Sequence, residues 1–216
     1  MRRKLLTLLV GILLTTLTAC GGDSEDTKNS GKLDQYRAGD YIEIMESDTF
    51  YIYFTSYILD SEATIKMAVD GDDSCVEVDR VGLSVRALTY NGTLYYINDE
   101  AKKILVVESE VDEEVVRPGD IDYSGTTFRN AGKGAIADLA GIDDNAYDYE
   151  EFIAGTGENE FLVRYYFKGE NLYAIQTITA ELRHTMVVNT LTKDIPEGFI
   201  EMPSGYKMVD AMNFNN

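Results

Sequence analysis

From Phe50 to Leu191 most of the chain alternates apolar and polar positions, the period-two signature of strands with one face turned towards a core. Phe50, Ile52, Phe54 and Ile58 fall on one face of a predicted strand over 50–59. Tyr51, Tyr53 and Tyr57 fall on the other, so both faces are expected to be partly covered. Ala63, Ile65, Met67 and Val69 alternate with Thr64 and Lys66 and end at Asp70-Gly71-Asp72-Asp73, which predicts a hairpin onto that strand. Further strands are predicted over 76–81, 85–90, 94–98 and 104–107. The Tyr90-Asn91-Gly92-Thr93 turn is the strongest local signal, because a type I′ turn requires positive φ at both central residues. Glu110 to Asp122 reads as an acidic loop around Pro118. Ala131 to Leu139 has enough Ala, Ile and Leu for a short helix despite Gly132 and Gly134. Strands resume over 149–154, 161–167, 172–179 and 184–191, with hairpin connections at Gly155 to Asn159 and at Lys168-Gly169-Glu170-Asn171. Asp40 to Ser47 fits a helical face and a strand equally, and a short helix is the preferred reading. The predicted fold is mainly β or α+β. It is a single curved antiparallel sheet of roughly nine to eleven strands, an incomplete barrel with one or two short helices on its concave side.

The ends of the chain follow other rules. Met1 to Cys20 opens on Arg2, Arg3 and Lys4, continues with an apolar run from Leu5 to Leu14 and closes on Leu17-Thr18-Ala19-Cys20, the layout of an export signal. The apolar run falls short of the roughly 20 residues a membrane-spanning helix needs. The closing tetrad resembles the bacterial lipobox, in which the cysteine sulfur receives a diacylglyceryl group and the chain is cut before it. Residues 1–19 are therefore expected to be removed, leaving Cys20 as a lipidated N-terminus. Two acyl chains hold a protein durably at a membrane where one does not. Residues 20–35, rich in Gly, Ser, Asp and Asn, form a flexible tether, 36–210 form one β-rich domain, and 211–216 are a polar tail. The expected location is the outer face of the bacterial cell membrane, which is the periplasm if the cell has two membranes.

Charge narrows the partners. Formal net charge is −19 from 38 acidic and 19 basic residues, and losing Arg2, Arg3 and Lys4 with the signal leaves −22. Nucleic acid is excluded as a partner, since it calls for clustered Lys and Arg.

Candidate chemistry is sparse. With Cys20 claimed by lipid, Cys75 stands alone, no internal disulfide is available, and Cys75 reads as a small strand residue. His184 is the one histidine and is read as a surface or rim residue. No Gly-x-Ser-x-Gly elbow occurs, and one histidine with one thiol is poor provision for zinc. Asp120-Ile121-Asp122-Tyr123-Ser124-Gly125 matches the start of a calcium loop, but Ala131 stands where the bidentate Glu belongs, so an ordinary turn is the better reading. Asp143, Asp144, Asn145, Asp148, Glu150 and Glu151 form a second oxygen-rich group without metal-site spacing. No cofactor, no metal and no catalytic residue are predicted, and an enzyme is not expected. The chain holds 15 tyrosines and no tryptophan. Tyrosines are good strand residues and can also line a groove, stacking by the ring and bonding by the hydroxyl. Tyr51, Tyr53, Tyr95, Tyr165 and Tyr173 are the candidate ligand-binding residues.

Several short elements together carry a family resemblance. They are the lipobox, the Tyr-Asn-Gly-Thr-Leu-Tyr-Tyr-Ile hairpin at 90–97, the Tyr-Glu-Glu-Phe strand at 149–152, the Arg-Tyr-Tyr-Phe-Lys-Gly-Glu-Asn-Leu hairpin at 164–172, and the closing Ile-Pro-Glu-Gly-Phe and Pro-Ser-Gly-Tyr elements. The chain resembles lipoproteins of Gram-positive bacteria and, more remotely over residues 36 to 209, the LolA/LolB-like lipoprotein-carrier superfamily. That resemblance implies an incomplete antiparallel barrel with an apolar concavity and places no ligand residue. Two functions are expected from the residues and the resemblance together. One is a membrane-anchored protein binding a hydrophobic small molecule such as an acyl chain. The other is an envelope protein-protein interaction or sensor module with a filled core.

Overall fold

The computed structural model describes residues 33–58, 61–107, 126–155 and 160–214. The signal segment, Cys20, the tether to residue 32, the acidic loop with its calcium-like spacing and the turn at 156–159 lie outside these residues.

The described chain forms one open, curved sheet. Six strands make a first antiparallel meander: β1 (Thr49–Ile58), β2 (Ser61–Asp70), β3 (Asp73–Arg80), β4 (Leu83–Tyr90), β5 (Thr93–Asn98) and β6 (Lys103–Val107). A second meander follows: β7 (Thr127–Ala135), β8 (Ala146–Ala154), β9 (Phe161–Lys168), β10 (Asn171–Ile178) and β11 (Arg183–Thr192). Pairing of β1 with β11 joins the two, so these strands form the seam in the middle of the sheet. β12 (Lys207–Val209) closes the end beside β6. The turns follow their residues: Asn91 and Gly92 take φ of 50° and 75°, the two positive values a type I′ turn demands.

Three expectations need correction. The described residues hold twelve strands, above the predicted range, because β7 and β12 carry no apolar alternation. The sheet is also not purely antiparallel, since β12 pairs in parallel with β6. Finally, no α-helix forms over 131–139. Residues up to Ala135 are the edge strand β7, and only Ala137–Leu139 make a 3-10 turn. Each glycine costs about 1 kcal/mol in a helix interior, and here the ladder with β8 uses the missing side chains. The Tyr149 ring lies so close over Gly132 that a Cβ there would stand 2.8 Å from its hydroxyl oxygen.

The helix at the start of the domain does form, as α1 (Arg37–Met45). Tyr36 at its N-cap makes no side-chain cap, and the Glu150 carboxylate from β8 accepts the free N–H groups of Arg37 (3.2 Å) and Ala38 (2.9 Å) instead. Ala38, Gly39 and Ile42 are the buried face. Gly39 is needed where it stands, because a Cβ would meet the Leu33 carbonyl, whose carbon is 2.9 Å away. Gly39→Ala is therefore expected to destabilise by about 1–2 kcal/mol in urea unfolding, the backbone clash outweighing alanine's helix preference.

Candidate functional site

The two halves of the sheet are covered unequally. On one face of the second meander, α1 lays Ala38 and Ile42 over Phe152, Val163, Tyr165, Phe167 and Ile175, a closed core. Its reach extends across the seam, where Phe50, Ile52, Phe54 and Ile65 are buried with Ile44 packed against them. On the opposite face of this half, Ile136 and Leu139 from the 3-10 segment pack on Tyr147, Tyr166 and Ala174.

A polar network anchors that segment. Asp138 accepts hydrogen bonds from Thr185 Oγ1 (2.6 Å) and Gln176 Nε2 (3.3 Å). Asp143 Oδ2 accepts from the hydroxyls of Tyr147 (2.7 Å) and Tyr173 (2.5 Å), which hold its carboxyl well below the usual carboxylate range.

Beyond β1 and β2, the strands of the first meander are packed mainly on one face among the described residues. There the closing segment lays Phe199, Ile200, Met202 and Tyr206 over Cys75, Leu88, Ile97 and Ile104. Arg86 fastens it, donating to the carbonyl oxygens of Phe199 (2.9 Å) and Glu201 (3.5 Å) while Glu77 balances its charge at 3.6 Å. The other face, continuous with the face under α1, carries paired rows. Val78 stands beside Val85, Val76 beside Ala87, Ala87 beside Tyr96, Tyr96 beside Leu105, and Leu94 beside Val107. Cross-strand partners point the same way, so these residues form one apolar surface. All of them are half-buried. This strip is the candidate site. The alternation that predicts the strands also marks these residues as one face, but nothing in it tells which of two apolar faces the closing segment will cover.

The predicted tyrosines do not gather there. Tyr165 is on the helix side, fully buried against Phe152. Tyr51, Tyr53 and Tyr95 lie on the face of the closing segment, with Tyr51 packed edge-on to Phe199 at 5.4 Å and Tyr95 in the core beneath that segment. Tyr173 is tied to Asp143 beside Tyr147, 4.5 Å between ring centroids. The aromatic residue on the open strip is Tyr96 instead.

The acidic group is also dispersed. Glu150 caps α1, Glu151 takes both Arg129 and Arg164, and Asp143 anchors its loop. The described residues contain no cluster of three or more His, Cys, Asp or Glu placed to hold a metal ion. Cys75 is a buried strand residue whose thiol is pushed up mainly by burial, although Arg86 Nε donates to its sulfur at 3.4 Å.

His184 corrects the sequence reading. It is buried, 8% exposed, because β11 is the seam strand and both of its faces are covered. Its Nε2 is 2.8 Å from Ser56 Oγ, tying β11 to β1. The neighbouring Thr185 points to the other face, where Asp138 is bound, so serine, histidine and this acid do not line up. Burial pushes the imidazole down to about 4, with the Asp138 charge a smaller opposing influence. An unfolded chain protonates this ring below about pH 6.5, whereas the folded one resists until about pH 4. The unfolded state therefore binds more protons between those values. Stability should be full above pH 6.5 and fall by up to about 3 kcal/mol as pH drops towards 4. Urea midpoints at pH 7 and pH 4.5 test this, and His184→Gln should remove that component of the slope.

No family model matches the chain, and no curated protein matches it in sequence. Several solved structures align with it at low identity. A conserved protein of Thermus thermophilus is 8% identical with a TM-score of 0.43, over 81% of this chain and 99% of that one. The MucA/MucB complex of Pseudomonas aeruginosa gives 11% identity and a TM-score of 0.45, over 81% of this chain and 64% of that one. LprF from Mycobacterium bovis gives 11% and 0.41, over 77% of this chain and 98% of that one. Among the described residues no helix is long and apolar enough to cross a membrane.

Proposed function

We propose that this chain is a lipid-anchored extracytoplasmic binding protein, without catalytic activity, that holds an apolar molecule such as an acyl chain against the open strip of the first meander. The unequal covering of the sheet supports the reading. Among the described residues a strip from Val85 and Ala87 through Tyr96 to Leu105 is half-exposed, while the reverse face of the same strands is packed under the closing segment and strands β8 to β10 are packed on both faces. Apolar surface left available beside a closed core serves a ligand that removes it from water, at about 25 cal/mol per Å². The attachment follows from Leu17-Thr18-Ala19-Cys20: the diacylated cysteine holds the protein at the membrane, and the tether lets the acidic domain stand off from an anionic surface.

The test uses the detergent-extracted mature protein. Native mass spectrometry should show a co-purifying lipid-sized mass, and a fluorescent fatty acid should bind and be displaced by unlabelled fatty acid. Tyr96→Asp, which places a charge on the strip, should weaken the fluorescent fatty acid about tenfold or more without lowering the melting temperature by more than a few degrees. Absence of a bound mass together with absence of fatty-acid binding would overturn the reading. An unmodified Cys20 in the intact mass would remove the anchor alone.

A further inference from the structure

The apolar strip is also sorted by charge. Register is unbroken from β1 to β6, so alternation assigns every side chain of these strands to a face. Their acids are Glu62, Asp70, Asp73, Glu77 and Asp79, and all of them alternate with the strip residues, so they stand on the face of the closing segment. The strip face of β1 to β6 therefore carries no carboxylate, in a chain with 38 acidic residues.

Two cations do stand on it. Arg80 pairs with Leu83 at the end of β3, and Lys103 pairs with Asn98 at the start of β6. Both lie at the end of the strip from which the β3–β4 and β5–β6 turns leave, and Ala87, Tyr96 and Leu105 run away from them on one side. They are three strand spacings apart, about 14 Å, so a single small group meets one of them while the other biases the same end. Arg80 is half-buried and donates from Nη2 to the Ser61 hydroxyl at 2.9 Å, and no carboxylate of the described residues pairs with it. Lys103 Nζ donates to the Asn213 carbonyl oxygen at 2.9 Å. Asp99, in the turn beside Lys103, serves the reverse face instead, where it accepts from the Tyr206 hydroxyl at 2.7 Å and lies 4.0 Å from Arg86. The cations of that reverse face have an acid of their own: Lys66 and Arg86 both meet Glu77, at 3.0 and 3.6 Å. A guanidinium drawn partly out of water beside a neutral hydroxyl gains from a carboxylate or phosphate, whose charge-assisted hydrogen bonds are about twice as strong as neutral ones.

We infer that the ligand of the strip is an anionic amphiphile, with its carboxylate or phosphate head at Arg80, at the end that Lys103 shares, and its alkyl tail along the rows from Val85 to Leu105. This rests on the strip being a binding site for an apolar molecule, and adds the charge and the direction of what it binds.

The test uses the mature chain, residues 20–216 with Cys20→Ser so that no detergent is needed. The reporter is N-phenylnaphthylamine, which is uncharged and fluoresces in apolar sites, and it is displaced by decanoate, decyl phosphate, decanol or decylamine, four amphiphiles with the same tail. At least one of the two anions should displace it at a concentration about tenfold below that of decanol, and decylamine should need more than decanol. Arg80→Gln should remove most of that preference and Lys103→Gln a smaller part. Lys66→Gln, on the reverse face, should keep it, and all three variants should melt within a few degrees of the unsubstituted chain. Equal displacement by decanol and both anions, an undiminished preference in Arg80→Gln, or an equal loss in Lys66→Gln would each overturn the inference and leave an apolar site standing. Failure of the reporter and of all four amphiphiles to bind would overturn the apolar-site reading with it.

Discussion

Phe152→Ala is expected to cost about 3–5 kcal/mol of folding stability, the range for deleting a fully buried aromatic ring from a core that cannot collapse around the gap. The side chain has no solvent exposure and sits among three other rings. Tyr36 meets it edge-on at 5.5 Å, Phe128 at 5.7 Å and Tyr165 at 5.7 Å, while Tyr36 and Phe128 stack on each other at 4.4 Å. These rings come from the turn before α1, from the edge strand β7 and from β9, so one residue holds the helix entry and the sheet edge to the same core. Against a total of about 5–15 kcal/mol for an ordinary domain the loss is large. Urea unfolding followed by circular dichroism should show the midpoint fall. A double-mutant cycle with Tyr36→Leu should show coupling of about 0.5–1.5 kcal/mol beyond the lost area, the value of a favourable ring pair. Additive losses would mean that the two rings fill space independently.

Glu150→Ala is expected to be nearly as damaging, about 2–4 kcal/mol, for a different reason. Its two oxygens accept the N–H groups of Arg37 and Ala38, and Ala38 is fully buried. A buried donor left without an acceptor costs about 1–3 kcal/mol, and the carboxylate also meets the positive end of the helix. Arg37 adds to the same joint: its Nη1 donates to the Gly169 carbonyl at 3.2 Å and its guanidinium lies 4.2 Å from the Phe167 ring centroid. Glu150→Gln keeps an acceptor without the charge and should fall between the wild type and alanine. Hydrogen exchange gives the sharper readout, because loss of the cap should raise exchange across α1 well before the strands of the first meander. Uniform exchange through the whole domain would mean that α1 and the sheet unfold only together.

Much of the architecture was legible in the residues. The strands from Phe50 to Val107 and from Tyr149 to Leu191 and the positive-φ turn at Asn91-Gly92 follow from local alternation and turn chemistry, while the stretch before the first strand fitted helix and strand alike and its helix is fixed by the Glu150 carboxylate and the core beneath it. Such signals are complete within a few residues, because successive strand side chains must point to opposite faces. The strand β7 was not legible. Thr127–Ala135 has no apolar period and holds two glycines, and it becomes a strand only because β8 offers its backbone a partner and Tyr149 covers the glycines. The place of His184 was hidden for a similar reason: Arg183 and Thr185 look like a strand end, and burial follows from the pairing of β1 with β11.

The same division holds for the candidate site. By itself the sequence determined that the strand over 50–59 has two apolar faces, that the domain is acidic and that Leu17-Thr18-Ala19-Cys20 matches a lipidation signal. Only the tertiary structure decided which face is left half-exposed among the described residues. The closing segment from Phe199 to Tyr206, more than ninety residues after Leu105, lies over one face and is held there by Arg86, while the helix before the first strand is drawn to the far half of the sheet by Glu150. Contacts between residues so far apart in sequence leave no periodic trace in either partner, since each side chain's local pattern is satisfied whichever distant segment covers it.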